Sequence, residues 1–276
     1  MRFAAAVILY NPKKIDIARV SEYIKSFDIV YLYDNSLDNS SYYNELPLDR
    51  DNVIYNYNNK NDGLPVAYNT ILNYLANEKI DYICTLDQDS EFSYEDICNM
   101  KEYIEHGADD KIAIYAPLVQ YAHRKDYEIK KEEIKLCKWV ITSGAFINLE
   151  ILKKHEIKYD TNYFIDKFEI DLCKQLTNLG YKIVMYNRAI LRQTLGEINK
   201  QGYSEHSVLR HYYLFRNRFY FNKKFYGIPK RWSLNVLQTI RHFWEIIVRE
   251  GEKGKKLGAF FEATKDYCVG KMGARE

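Results

Sequence analysis

A chain of 276 residues with 47% apolar composition can bury a sizeable core, which excludes a disordered chain and a disulfide-stapled miniprotein. A formal net charge of +2 excludes a polyanion binder that acts through the chain as a whole. The five cysteines (Cys84, Cys98, Cys137, Cys173, Cys268) are scattered, with no C-x-x-C pair and no zinc spacing, so reduced thiols in a cytoplasmic setting are expected.

In chain order, the apolar run 4–10 predicts a strand covered on both faces. It stops at Tyr10-Asn11-Pro12 without a small-residue cleavage site, which argues against a signal peptide. Ile17, Val20, Ile24 and Phe27 share one side of a helix expected over 15–27. Strands follow at 29–33 and 52–57, the first ending at the turn Asp34-Asn35-Ser36. After a polar loop, a helix is expected over 65–76, with Pro65 in its first turn. The strand 82–86 then runs into Asp87-Gln88-Asp89-Ser90. A helix to about His106 and a strand over 112–117 come next, and the charged stretch 120–138 reads as a surface excursion. Thr142-Ser143-Gly144 lies between apolar residues; a helix through Ile170, Cys173 and Leu176 ends at Gly180, and 182–186 is a further strand. This alternation predicts an open, mostly parallel α/β sheet, whose ligands gather beyond the carboxyl ends of its strands. Asp34, Asp87 and Asp89 occupy such ends.

Two groups of carboxylates carry candidate chemistry. Asp87 and Asp89, flanking one residue at a strand end, can share a hard cation, Mg2+ or Mn2+, with the oxygens of a diphosphate. In Asp166-Lys167-Phe168-Glu169-Ile170-Asp171, a helix starting near Asp166 would put Asp166 and Glu169 on one face. One of these carboxylates is a candidate general base. Arg216 is a candidate diphosphate contact, because a guanidinium pairs bidentately with phosphate.

The order of several segments resembles the family-2 glycosyltransferases, specifically their rhamnosyltransferase-like branch. The segments are Ala6-Val7-Ile8-Leu9-Tyr10-Asn11-Pro12, Asp34-Asn35-Ser36, Asn61-Asp62-Gly63-Leu64-Pro65-Val66-Ala67-Tyr68-Asn69 and Leu86-Asp87-Gln88-Asp89-Ser90. Thr142-Ser143-Gly144, Phe164-Ile165-Asp166, Gly180-Tyr181-Lys182-Ile183, Arg210-His211-Tyr212-Tyr213 and Arg216-Asn217 complete the set. The resemblance implies a GT-A type nucleotide-binding fold and inversion at the anomeric carbon by direct displacement. It also implies base and ribose contacts at Tyr10, Asn11 and Asp34, and a segment near the nucleotide containing Asn61, Gly63 and Asn69. Asp87, Gln88 and Asp89 fall on the diphosphate side, and Ser143 and Gly144 border the acceptor. Alignment backward from Gly180-Tyr181 puts the base at Glu169, where the family usually has Asp; Asp166 and Asp171 are the alternatives. The family tends to have His before Leu-Gly, where this chain reads Arg192-Gln193-Thr194-Leu195-Gly196, and His206 or His211 is a candidate substitute.

In the C-terminal part, Val236, Leu237, Ile240, Phe243, Trp244, Ile247 and Val248 form one stripe at helical spacing. A basic turn, Lys253-Gly254-Lys255-Lys256, leads to a second helix over 257–269. Such a pair suits docking on an anionic membrane surface, or packing on the catalytic domain or a second copy in a homodimer. The expected organisation is a catalytic domain over 1–222 and a helical extension over 223–276. The expected partners are a nucleotide-sugar donor (dTDP-rhamnose favoured) and a lipid-linked saccharide acceptor, with no nucleic acid. The expected place is the cytoplasm, peripheral to the inner face of the plasma membrane. A UDP-sugar, galactofuranose included, is the second donor reading. A nucleotidyltransferase would show a glycine-rich phosphate loop where Tyr10-Asn11-Pro12 stands, and a saccharide-binding module would have no use for Asp87, Asp89 and Glu169 together.

Overall fold

Strand β1 (Phe3–Leu9) consists of apolar residues that are all buried, as a central parallel strand requires. In the computed structural model, which describes residues 1–107, 109–121, 133–193, 197–198 and 204–275, it lies at the middle of an open α/β sheet. β2 (Ile29–Asp34) and β4 (Tyr82–Asp87) flank it in parallel, and β3 (Val53–Tyr57) lies parallel outside β2. Beyond β4 the sheet continues through β8 (Ala145–Asn148), β6 (Ile112–Tyr121) and β9 (Lys182–Gln193). β5 (Glu91–Phe92) and β7 (Ile134–Cys137) both pair antiparallel with β9, while β6 pairs with it in parallel. The expectation of a surface excursion over 120–138 is corrected in part. Residues 122–132 lie outside the described residues, but Ile134–Cys137 is a sheet strand.

Alternation along β1 gives the sheet two different faces. Phe3, Ala5, Val7 and Leu9 join a core with Ile17 and Val20 of α1 (Lys14–Tyr23) and Ile97, Met100 and Ile104 of α3 (Tyr94–His106). The opposite face has the small Ala4 and Ala6 and takes α2 (Leu64–Leu75), which starts after Gly63 at φ 79° with Pro65 in its first turn. α1 is shorter than expected, since Ile24–Ser26 is a 3-10 turn. α4 (Leu149–Lys154) follows β8. α5 (Phe168–Asn178) begins two residues later than Asp166, because Asp166 (φ 60°) and Lys167 (φ 74°) are both left-handed. The expected sharing of one helical face by Asp166 and Glu169 is therefore overturned.

The chain forms two compact units, Met1–Asp160 with Glu169–Thr194 and Thr161–Phe168 with Leu195–Glu276. The expected boundary at 222/223 falls inside α6 (Val208–Phe225), a helix of the second unit. That unit packs Tyr212, Tyr213 and Phe215 of α6 against Ile246 of α7 (Ile228–Arg249) and Ala259 and Ala263 of α8 (Lys253–Cys268).

Beside this apolar packing, α6 and α7 share a polar network. Asn222 Nδ2 donates to Asn235 Oδ1 at 2.7 Å and Gln238 Oε1 at 3.2 Å, and Arg218 donates to the Gln238 carbonyl at 2.9 Å. Arg218 also donates to His242 Nδ1 at 2.8 Å, so His242 carries its proton on Nε2 and donates to His211 Nδ1 at 2.8 Å. His211 Nε2 in turn donates to Glu250 at 2.8 Å, and Lys256 donates to Glu250 at 2.9 Å and to Glu205 at 2.6 Å. Burial first, then the neighbouring Arg218 charge, pushes His242 down to about 3. Burial also lowers His211, against the pull of Glu250.

Candidate functional site

The register of the parallel strands sets the expected residues on one edge. Leu9 pairs with Asp34, Asp34 with Tyr57 and Ile8 with Asp87, so β1 to β4 end level and the chain leaves them side by side. Gln88 closes this edge as a clamp. The Tyr10 N–H donates to its Oε1 at 2.8 Å, and its Nε2 donates to the Tyr10 carbonyl at 3.1 Å. Tyr10 itself is exposed, and Asn11, at φ 46°, is held by its N–H donating to Ser36 Oγ at 2.7 Å.

Several residues expected to meet ligand are instead taken up by the protein. Asp34 is fully enclosed and accepts from Ser36 N at 2.9 Å, Tyr42 Oη at 2.8 Å and Tyr55 Oη at 2.7 Å. Burial raises both phenols, so they stay protonated as donors. Asn69 holds the backbone of Tyr159 on both sides, donating to its carbonyl at 2.8 Å and accepting from its N–H at 2.9 Å. Asn61 caps the turn before α2 by accepting from Gly63 N at 3.1 Å.

Ser143, expected beside the acceptor, is buried behind the end of β4. Its Oγ accepts from Asp87 N at 3.1 Å and lies 2.6 Å from Ser90 Oγ. Gly144 is buried with φ 79°, and a Cβ on it would stand 2.7 Å from Pro117 Cγ, so no other residue fits without displacement. These two residues shape the Asp87 loop from beneath.

The Asp87 carboxylate, half-buried, accepts from Gln193 Nε2 at 3.1 Å. Asp89 is exposed and has other neighbours: local desolvation raises its carboxyl, as does the Asp16 carboxylate, while its own backbone N–H and Arg19 oppose the shift. Among the described residues, no three His, Cys, Asp or Glu side chains are grouped to hold a metal ion. The donor set still suits Mg2+ or Mn2+, which bind through one or two carboxylates plus substrate phosphates.

Of the three candidate bases, Asp171 is fully enclosed and accepts from Gln175 at 2.7 Å. Asp166, in the second unit, is ion-paired with Arg210 at 3.1 Å. Glu169 is half-buried in the first turn of α5 and lies in the first unit with Asp87. Tyr68 on α2, missing from the expected site, feels the charge of both carboxylates. Its phenol is fully buried and raised well above the ordinary value, first by burial and then by Asp87, Tyr159, Cys84 and Glu169. Its ring packs on Tyr159 with centroids 5.2 Å apart. The apolar periodicity of α2 marks Tyr68 only as a core residue.

Arg216 is buried in the second unit, where it donates to the Gly273 carbonyl at 2.6 Å and to Tyr212 Oη at 3.2 Å. It holds the C-terminal segment instead of presenting an open fork to phosphate. His211 is likewise enclosed in the α6–α7 network, with His206 beside it at a ring distance of 6.0 Å.

Comparison with known proteins adds three findings. The family model described as Glycosyl transferase family 2 matches residues 17–169. The crystal structure of S. aureus TarS 1-349 in complex with UDP-GlcNAc is similar with a TM-score of 0.58 at 14% identity, over 97% of this chain and 80% of that one. The crystal structure of GalNAc-T7 with UDP, GalNAc and Mn2+ is similar with a TM-score of 0.56 at 13% identity, over 70% of this chain and 43% of that one. No curated protein sequence matches the chain significantly. The fold is GT-A-like, with a curled, mostly parallel open sheet.

Proposed function

The chain belongs to glycosyl transferase family 2, and from that membership we propose that it transfers a sugar, with inversion, from a nucleotide diphosphate donor to a saccharide hydroxyl. The observation that carries this reading is the placing of Asp87 at the level edge of the parallel strands, with Glu169 half-buried in the first turn of α5 in the same unit. Donor diphosphate would lie on the Asp87 side. Glu169 would take the acceptor proton as the acceptor oxygen bonds to the anomeric carbon and the bond to the diphosphate breaks, its electron pair leaving with the diphosphate. Asp87 and Asp89 would hold Mg2+ or Mn2+, which supplies positive charge to the departing diphosphate. Burial keeps the Tyr68 phenol protonated.

The donor we propose is dTDP-rhamnose, on the strength of the ordered segments between residues 6 and 217. A UDP-sugar is the second reading, favoured by the two similar structures, which contain UDP-GlcNAc and UDP. The acceptor we propose is a lipid-linked saccharide of bacterial surface polysaccharide synthesis. Among the described residues, no helix is long and apolar enough to cross a membrane, so such an acceptor would be met from a peripheral position.

Thermal melting with dTDP, UDP and GDP, each with and without Mn2+, tests the donor half. A ligand at about 100 times its Kd adds about 2.7 kcal/mol to the native state. Metal-dependent stabilisation by dTDP supports rhamnose, and by UDP the second reading; none by any nucleotide at millimolar concentration overturns both. Glu169→Gln tests the base. A fall in kcat of about 10²–10⁴ with the nucleotide-induced shift intact is expected, and unchanged turnover would move the role elsewhere.

A further inference from the structure

α7 is inside out. Surface helices bury their apolar stripe and give their polar face to water. Here Asn235, Gln238 and His242 face α6 through the hydrogen bonds described above, while Trp232, Val236, Leu237, Ile240, Trp244 and Val248 are exposed, Leu237 by 65% and Trp232 by 61%. At about 100° per residue, the exposed residues lie within about 160° of the circumference, and Ser233 is the only polar residue of that arc between Trp232 and Val248. The chain of bonds from Arg218 through His242 and His211 to Glu250 fixes the rotation of the helix, so α7 cannot roll its apolar face inward without breaking it.

We propose that this face is a membrane-docking surface, on which α7 lies flat in the headgroup region of an anionic bilayer. The charge around it is complementary to such a surface. Between Lys223 and Lys256 there are nine Lys or Arg against three Glu, and Lys230, Arg241, Arg249, Lys253 and Lys255 are exposed. Two of the three tryptophans of the chain stand on the apolar arc, and an indole suits the boundary between acyl chains and headgroups. A two-fold contact with a second copy would set the face against itself and bring like charges together. The inference rests on the geometry of α7 and does not require the sugar-transfer reading.

The test is flotation of the full chain with phosphatidylcholine vesicles, with and without about 30% phosphatidylglycerol. The expected result is capture by the anionic vesicles, weakened by salt. Ile240→Glu should lower the partitioning at least about tenfold, and Lys253→Gln and Lys255→Gln about fivefold per charge, all three with unchanged melting temperature. A wild-type chain left in the aqueous fraction, or equal capture of Ile240→Glu, overturns the proposal. So does a dimer in sedimentation velocity that Ile240→Glu dissociates while vesicles capture nothing, which would assign the face to a second copy. Vesicle capture retained in a protein that no nucleotide stabilises would overturn the transferase reading alone.

Discussion

Asn69 and Gly144 show how a motif residue can act on a site without facing it. Asn69 bonds both backbone groups of Tyr159, and through the Tyr159 ring it supports Tyr68. Asn69→Ala is expected to cost about 1–3 kcal/mol by leaving two buried backbone groups unmatched. Its nucleotide-induced thermal shift should stay as in the wild type; loss of that shift at unchanged melting temperature would return Asn69 to the ligand. For Gly144→Ala, the left-handed backbone and the Pro117 ring both oppose a methyl group, and a loss of about 2–4 kcal/mol in denaturant unfolding is expected. Neither role is legible in the sequence, because what demands each residue is a segment far along the chain. The turn at Asp34 and the Asp87–Asp89 pair were legible, since a buried apolar run ending in polar residues marks a strand end by itself.

At the scale of elements, periodicity located the helices but not their orientation. The stripe on α7 was visible in the sequence, whereas its facing outward depends on Arg218 and His211 of another helix. The start of α5 was misplaced because Asp166 and Lys167 are left-handed without being Gly or Asn, and β7 was missed because its exposed Leu136 and charged neighbours read as surface. The α6–α7 network has a pH signature. His242 and His211 both have folded values below the ordinary histidine value, so unfolding takes up protons and stability falls as pH drops below the unfolded value near 6.5. A proton on His242 Nδ1 would face Arg218, and one on His211 Nδ1 would face the His242 N–H; Glu250 favours a charged His211 but does not outweigh its burial. Between about pH 6.5 and 5, His242 is expected to contribute up to about 1.4 kcal/mol of lost stability per pH unit, with His211 acting in the same direction. Calorimetry of the wild type and His242→Gln checks this: a slope that the variant does not flatten would discharge His242 from the effect.

For the whole molecule, the cysteines make a map of access. All five are free, with Cys84 and Cys173 buried, Cys268 exposed and the others between. Burial raises the thiols of Cys84 and Cys173, the latter to about 12, so both are slow nucleophiles as well as inaccessible ones. Labelling with a disulfide reagent at mildly alkaline pH should modify Cys268 first and reach Cys84 and Cys173 only on unfolding. Fast reaction of Cys84 in the native protein would contradict the buried β4. The absence of C-x-x-C spacing made free thiols legible, but their ranking required the sheet.

The position of β9 in the sheet also bears on synthesis. β5, β6 and β7 all pair with a strand that ends at Gln193 and emerges from the ribosome after every one of them. Until it arrives, the edge of β6 that it will occupy is open, and the stretch between the two takes on the order of several seconds to translate. The nascent chain therefore carries an unpaired strand edge through roughly a quarter of its elongation, and the interval in which a chaperone has something to cover is written into the strand order.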